Sequence, residues 1–296
     1  MRAALILCVA TLAGCIEGDP PPLDDPCSDS LRGSSELLAD GFQGTEGITF
    51  SPDGRMFAGD RDVLTEVRPD GSWSVVADVP GVIGLTWWRD RVVAATSDSG
   101  DGDDLDGVFF VAPDTGDVER IGPGLEGANF VTVTPWDTLI VSDPDVDRLF
   151  ELTAEGDVSV WLDGVESPNG TAFDEDGSVL WVATTYANPA PIRRVEVAGE
   201  AAGAVEDVAS FEAGITPDGV AVGAGGDLYV AQIVAGRIDV VTDDGASSTL
   251  SGAVGAPASV AFGVGDDWDA CSIYSTSLFS DEMYRTEVGE TGLRLR

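Results

Sequence analysis

The chain of 296 residues contains no histidine, and its 15 basic residues are all arginine, so lysine is missing as well. Without histidine there is no Ser-His-Asp triad, no imidazole acid or base and no imidazole metal ligand. Four cysteines, none in a CxxC pair, do not make a zinc site. A bound metal must therefore be held by oxygen. Positive charge is scarce: 53 Asp and Glu face the 15 arginines, for a formal net charge of −38. Such a chain repels nucleic-acid phosphates and anionic headgroups, so no nucleic acid is expected as a partner. Most of this acidity reads as a solubility feature, and only particular carboxylates are candidates for chemistry.

The apolar run Ala3 to Leu12 is too short to span a bilayer. Preceded by Arg2 and ending in Leu12-Ala13-Gly14-Cys15, it reads as an export signal over 1–14 whose end resembles a bacterial lipobox. Cys15 is then the lipidated residue, and the Pro- and Asp-rich stretch 15–33 is a tether that cannot pack. The expectation is an exported protein, lipid-anchored in the bacterial cell envelope at the periplasm or outer surface. An ordinary cleaved signal peptide is the alternative. With Cys8 in the signal, Cys27 and Cys271 remain, either paired or as two separate thiols.

Past residue 34 the pattern lacks helical periodicity, and short β-branched runs alternate with Gly/Asp/Pro turns. One strand recurs as "EGITF" at 46, "IGLTW" at 83, "NFVTV" at 129, "NGTAF" at 169, "DGVAV" at 218 and "ASVAF" at 258. With Glu46, Gly84, Asn129, Asn169, Asp218 and Ser259 taken as equivalent, the spacings are 38, 45, 40, 49 and 41 residues. A second strand, a turn and two further strands follow most of them. Four strands per period of this length predict an all-β six-bladed β-propeller of four-stranded antiparallel blades over 34–296. The last unit lacks a fourth strand, and "ELLADGF" at 36–42 supplies one, so an N-terminal strand closes the ring. A pair of sandwiched sheets would not explain the constant period.

In a propeller the inner strands start at one mouth of a central channel, which brings the equivalent positions onto the axis. Glu46, Asn129, Asn169 and Asp218 then offer oxygen ligands for one divalent cation, with calcium the best match to such hard donors. Each has a simpler role in isolation: Asn169-Gly170 and Asp218-Gly219 as loop caps, Glu46 as a partner for an arginine. The stretch "DSGDGDDLDG" at 98–107 lacks the ligand register of an EF-hand and reads as a solvated acidic loop. Trp87 and Trp88 read as packing residues, and Tyr186, Asn188 and Pro189 as a loop where a substrate could touch.

These motifs resemble the SMP-30/gluconolactonase-like family of six-bladed propellers over nearly all of 36–296. "EGITF" is similar to the family's EGPxW, with Ile48 and Phe50 replacing Pro and Trp. "SPNGTAF" and "TPDGVAV" are similar to PNGxA and PDGxAVD, and "GAPASVAFG" with "SIYSTSL" to the last-blade signature. The resemblance implies Glu46, Asn169 and Asp218 as metal ligands, with Asn129 beside metal and substrate. It implies a calcium- or zinc-dependent lactonase or esterase, with calcium favoured by the all-oxygen ligands, in which Asp218 positions or deprotonates the attacking water. Two positions depart from the pattern: Phe130 replaces an Asp, and Gly127 stands where sugar-lactone members carry Arg, so an aldonolactone is not carried across. The expected partner is a small lactone or ester, and the protein is expected to be a monomer. The competing reading is a non-catalytic propeller that binds a ligand or protein at the envelope.

Overall fold

A computed structural model describes residues 27, 31–97, 106–125, 127–212, 214–252 and 254–293. The signal segment 1–14, Cys15, the tether up to residue 26 and most of the acidic stretch 98–107 lie outside them. A closing strand, β1 (Ser35–Asp40), precedes the first blade: β2 (Thr45–Phe50), β3 (Met56–Asp60), β4 (Val63–Val67) and β5 (Trp73–Asp78). The second blade is β6 (Val82–Trp88), β7 (Arg91–Thr96), β8 (Gly107–Val111) and β9 (Val118–Ile121). The third is β10 (Val131–Val133), β11 (Leu139–Asp143), β12 (Arg148–Leu152) and β13 (Val158–Asp163). The fourth is β14 (Pro168–Phe173), β15 (Val179–Thr184), β16 (Ala190–Ala198) and β17 (Ala201–Phe211). The fifth is β18 (Pro217–Val222), β19 (Leu228–Gln232), β20 (Arg237–Val241) and β21 (Ser247–Ser251), and the last holds β22 (Pro257–Phe262), β23 (Ser272–Ser277) and β24 (Glu282–Glu287).

Five sheets pair their strands in chain order, and the sixth runs β1-β24-β23-β22. The protein is thus a six-bladed β-propeller closed by its N-terminal strand. The second strands explain the continuous apolar runs: β3, β11, β15, β19 and β23 are buried at every residue. Each is covered on both faces by neighbouring blades, so neither face needs to be polar. The outermost β17 is instead exposed along most of its length. The core accordingly lies between blades, as where Trp181 and Ile192 pack with Val220, Leu228 and Val230.

Closure rests on Ser35 opposite Thr286 and Glu36 opposite Arg285, whose guanidinium also meets the Glu36 carboxylate at 2.8 Å. A disulfide between Cys27 and Cys271, with Cα atoms 5.4 Å apart, ties the arm preceding β1 to the same blade. Cross-linking residues 244 apart removes much freedom from the unfolded chain. Reduction, or Cys271→Ser, is expected to cost about 2–5 kcal/mol. Thermal melting with and without reductant measures it, with an unchanged melting temperature counting against a structural bridge.

Candidate metal and substrate site at the channel mouth

The inner strands do not enter their sheets smoothly. The pairing register shifts between Thr45 and Ile48, Val82 and Gly84, Pro168 and Thr171, Pro217 and Val220, and Pro257 and Val260. A bulge of this kind leaves a residue out of the ladder and re-aims its side chain. The residues so released include Glu46, Asn169 and Asp218. Asn129 holds the same place in the third blade, just ahead of β10, with its N–H donated to the Ser142 carbonyl at 2.9 Å.

The pairing corrects two of the expected equivalences. Val82 and Pro257 pair as Thr45, Pro168 and Pro217 do, so Ile83 and Ala258 occupy the axial position. Gly84 and Ser259 sit one residue further on, level with Gly47, Gly170 and Gly219. The extra residue in the bulge is what similarity of strand letters cannot register.

Glycine recurs at that next level because the inner strands nearly touch there. A Cβ on Gly84 would lie 2.2 Å from the Asn129 carbonyl oxygen, and one on Gly170 would lie 2.2 Å from that of Asp218. The Asn-Gly at 169–170 is therefore not a turn: the amide serves the axis and the glycine admits the next strand. Ser167, just before it, takes a left-handed φ of 47°, a strained choice for a non-glycine residue. Its N–H donates to Asp147 Oδ1 at 2.8 Å, its hydroxyl accepts from the Tyr186 N–H at 3.2 Å and its carbonyl accepts from the Thr185 N–H at 3.1 Å. Three bonds thus hold the entry to Asn169. Thr185 Oγ1 donates to the Pro217 carbonyl at 2.7 Å, and Thr276 Oγ1 donates to that of Glu46, locking the approaches to the other two residues.

Asn169 and Asp218 are each 4% exposed, and Glu46 is partly buried. The Asn169 amide donates to the Asp218 carboxylate, while Asn169 Oδ1 is buried with no hydrogen-bond partner. Burial pushes the Glu46 carboxyl up to about 8. Burial and the charge of Glu46 push Asp218 well above the usual carboxylate range, against the pull of Asn169. Among the described residues, no positive group offsets the Glu46 and Asp218 carboxylates or the orphaned amide oxygen beside them. Among the described residues no cluster of three His, Cys, Asp or Glu side chains forms, so the oxygen set has two carboxylates completed by amide. These hard donors fit calcium, which accepts carbonyl oxygens and water alongside carboxylates.

Tyr186, from the loop after β15, feels this group, its phenol raised by partial desolvation and by the charges of Asp218, Glu46 and Asp145. Trp87 stacks on Phe57 and lines the channel further in, whereas Trp88 is buried and donates to Asp137. Gln232 escapes a motif-based reading. It lies opposite Pro217, fully buried with neither amide atom bonded, at the strand end where other blades place Asp60, Thr96, Asp143, Thr184 and Ser277. Only the variation at that repeated position signals it.

Residues 60–277 match the family model described as "SMP-30/Gluconolactonase/LRE-like region". No curated protein matches the chain. Among solved structures, regucalcin from Agrobacterium tumefaciens, described as a calcium-binding protein, is 19% identical with a TM-score of 0.73, covering 89% of this chain and 96% of its own. A gluconolactonase from Xanthomonas campestris is 18% identical with a TM-score of 0.71, covering 86% and 89%. A structural-genomics target provisionally assigned as a gluconolactonase is 23% identical with a TM-score of 0.73, covering 88% and 94%. At these identities the solved structures speak for the fold.

The raised carboxyls make metal-free stability fall with pH. In the folded protein Glu46 keeps a proton that the unfolded chain releases near 4.5, so its contribution is complete below that value and lost through about 8. The melting temperature of chelator-treated protein should decline over this window, less so in Glu46→Gln, and added calcium should restore it. A profile indifferent to Glu46→Gln would count against a buried acidic pair. Gly170→Ala, whose methyl would meet the Asp218 carbonyl, should cost about 1–3 kcal/mol and weaken the calcium-induced melting shift with every ligand retained.

Proposed function

Because the chain belongs to the SMP-30/gluconolactonase/LRE-like family, we propose that it is a calcium-dependent hydrolase of a lactone or ester, acting at the channel mouth. The observation that carries this reading is the buried pair Glu46 and Asp218 with the unpartnered Oδ1 of Asn169. These three residues would hold the cation, and Asn129 would stand beside it, facing the substrate. When bound, the cation supplies electrophilic stabilisation of the carbonyl oxygen as it gains charge.

The remaining work belongs to side chains. Asp218 positions the attacking water or accepts its proton on the carboxylate. The Asn169 amide occupies part of the Asp218 carboxylate and so orients it. The bonds from Thr185 and Thr276, and that from the Tyr186 N–H to Ser167, keep the three approaches rigid, as a positioned site requires.

The same proposal places the protein outside the cytoplasm, with 1–14 removed, Cys15 lipidated and a tether leading to the propeller. The Cys27–Cys271 bridge supports an oxidising compartment. A non-catalytic ligand binder is the second reading. It is favoured by Phe130, a partly exposed ring at the level where four other blades carry glycine.

Asp218→Ala and Asn169→Ala should each lower hydrolysis of a lactone and ester panel by about 100-fold or more, as expected of groups acting in the transition state. Chelation should do the same, reversibly on adding calcium. Full activity in either variant or after chelation would overturn the mechanism. Stoichiometric calcium with no turnover of any panel member would favour the binder.

A further inference from the structure

Apart from the second blade, whose connection lies mostly outside the described residues, the loops joining the second and third strands stand at the mouth where Glu46, Asn169 and Asp218 gather. In four consecutive blades these loops present an apolar or aromatic side chain to solvent: Val146 at 45% exposed, Tyr186 at 77%, Val234 at 64% and Phe279 at 73%. Each loop is bonded to the backbone leading into an axial residue. Asp147, next to Val146, receives Ser167, and the Tyr186 N–H reaches the Ser167 hydroxyl. The Val234 N–H donates to Thr216 Oγ1 at 3.0 Å, two residues before Asp218. Leu278, next to Phe279, donates its N–H to the Ala256 carbonyl at 3.0 Å, and the Ser277 N–H donates to Thr45 Oγ1 at 2.9 Å. Most other exposed large apolar residues, such as Val75, Val118, Val160 and Val205, are scattered over outer strands, as is ordinary for a soluble surface. The rim set is grouped around one opening.

Among the described residues the mouth is poor in cationic donors of the kind that reads a polyol, and its uncharged donors are the Asn129 and Gln232 amides and the Tyr186 phenol. The chain has no lysine or histidine, and Arg61, on the corresponding loop of the first blade, donates its Nε–H to the Gln43 carbonyl at 2.8 Å. Gly127 carries no donor side chain, and a Cβ there would meet Asp143 Oδ1 at 2.2 Å. An acceptor thus fills that space.

From this arrangement we infer that the mouth selects lactones or esters bearing an alkyl or aryl group over polyhydroxylated ones, with the Val146, Tyr186, Val234 and Phe279 side chains covering the apolar substituent. The inference rests on the hydrolase reading for its chemistry: water adds to the acyl carbon, the acyl C–O bond breaks, and the water proton ends on the departing oxygen, giving a hydroxy acid or an acid and alcohol. Selection acts through the substituent, whose burial against the rim strengthens binding with each carbon.

The test uses the full chain with calcium, assayed on γ-lactones from butyrolactone to dodecanolactone and on glucono-δ-lactone, with ligand-induced melting shifts measured in parallel. The expected result is a kcat/KM rising about 2–4-fold per added methylene over the first several carbons. Glucono-δ-lactone should fall below the long-chain members, and the Val234→Ser, Phe279→Ser double variant should lose roughly half of the chain-length slope or more. Hydrolysis that ignores chain length, or prefers glucono-δ-lactone, would overturn the inference and leave the hydrolase reading standing. Melting shifts that grow with chain length, without turnover of any lactone, would support the rim inference and remove the hydrolase reading. Vesicle co-sedimentation of unlipidated Cys15→Ser protein that the double variant abolishes, with no chain-length slope, would make the rim a membrane contact and overturn the inference.

Discussion

Around the propeller axis the inner strands come so close that the backbone of one occupies the space where the next would carry a side chain. Gly84 faces the Asn129 carbonyl, Gly170 that of Asp218, and Gly219 the side chain and backbone of Ser259. This steric constraint organises much else. It explains the glycine after Glu46, Asn169 and Asp218, and the bulges that let each strand enter its sheet while turning the preceding side chain inward. A functional group aimed by backbone geometry does not depend on its own rotamer alone.

The electrostatic consequence follows from the same geometry. In a protein with 53 acidic residues, most stay in water and relax away from one another, although Asp60, Asp143 and Asp239 are buried too. Glu46 and Asp218 cannot do so freely, because desolvation raises both carboxyls and the inner ring holds them near each other. Strong acidity elsewhere therefore says little about function, while this one pair stores the repulsion that a cation would relieve. The orphaned Oδ1 of Asn169 adds a third oxygen with an unmet need. Around that polar centre stands an apolar rim, so the mouth combines a buried hard-ligand group with a surface suited to hydrocarbon.

Much of this was legible from the residues alone. The four-strand period set the blade count, because each blade must bury its second strand between neighbours and repeats the same apolar run to do so. The missing fourth strand at the end and the spare one at the start set the closure. The absence of histidine restricted a metal to oxygen donors, and Glu46, Asn129, Asn169 and Asp218 stood out because they recur at one phase of the repeat.

Only the tertiary structure decided which residues share the axis. Ile83 and Ala258 replace Gly84 and Ser259 there, because a bulge inserts a residue that shifts phase without changing the look of the strand. Three-dimensional packing also decided that Cys27 meets Cys271, that Gln232 is a buried amide without partners, and that Val146, Tyr186, Val234 and Phe279 stand exposed on loops of consecutive blades. Local sequence dictates strand, turn and period because these depend on neighbours a few bonds away. Proximity across blades, desolvation and exposure depend on residues scores of positions apart, and they come into being only when the ring closes.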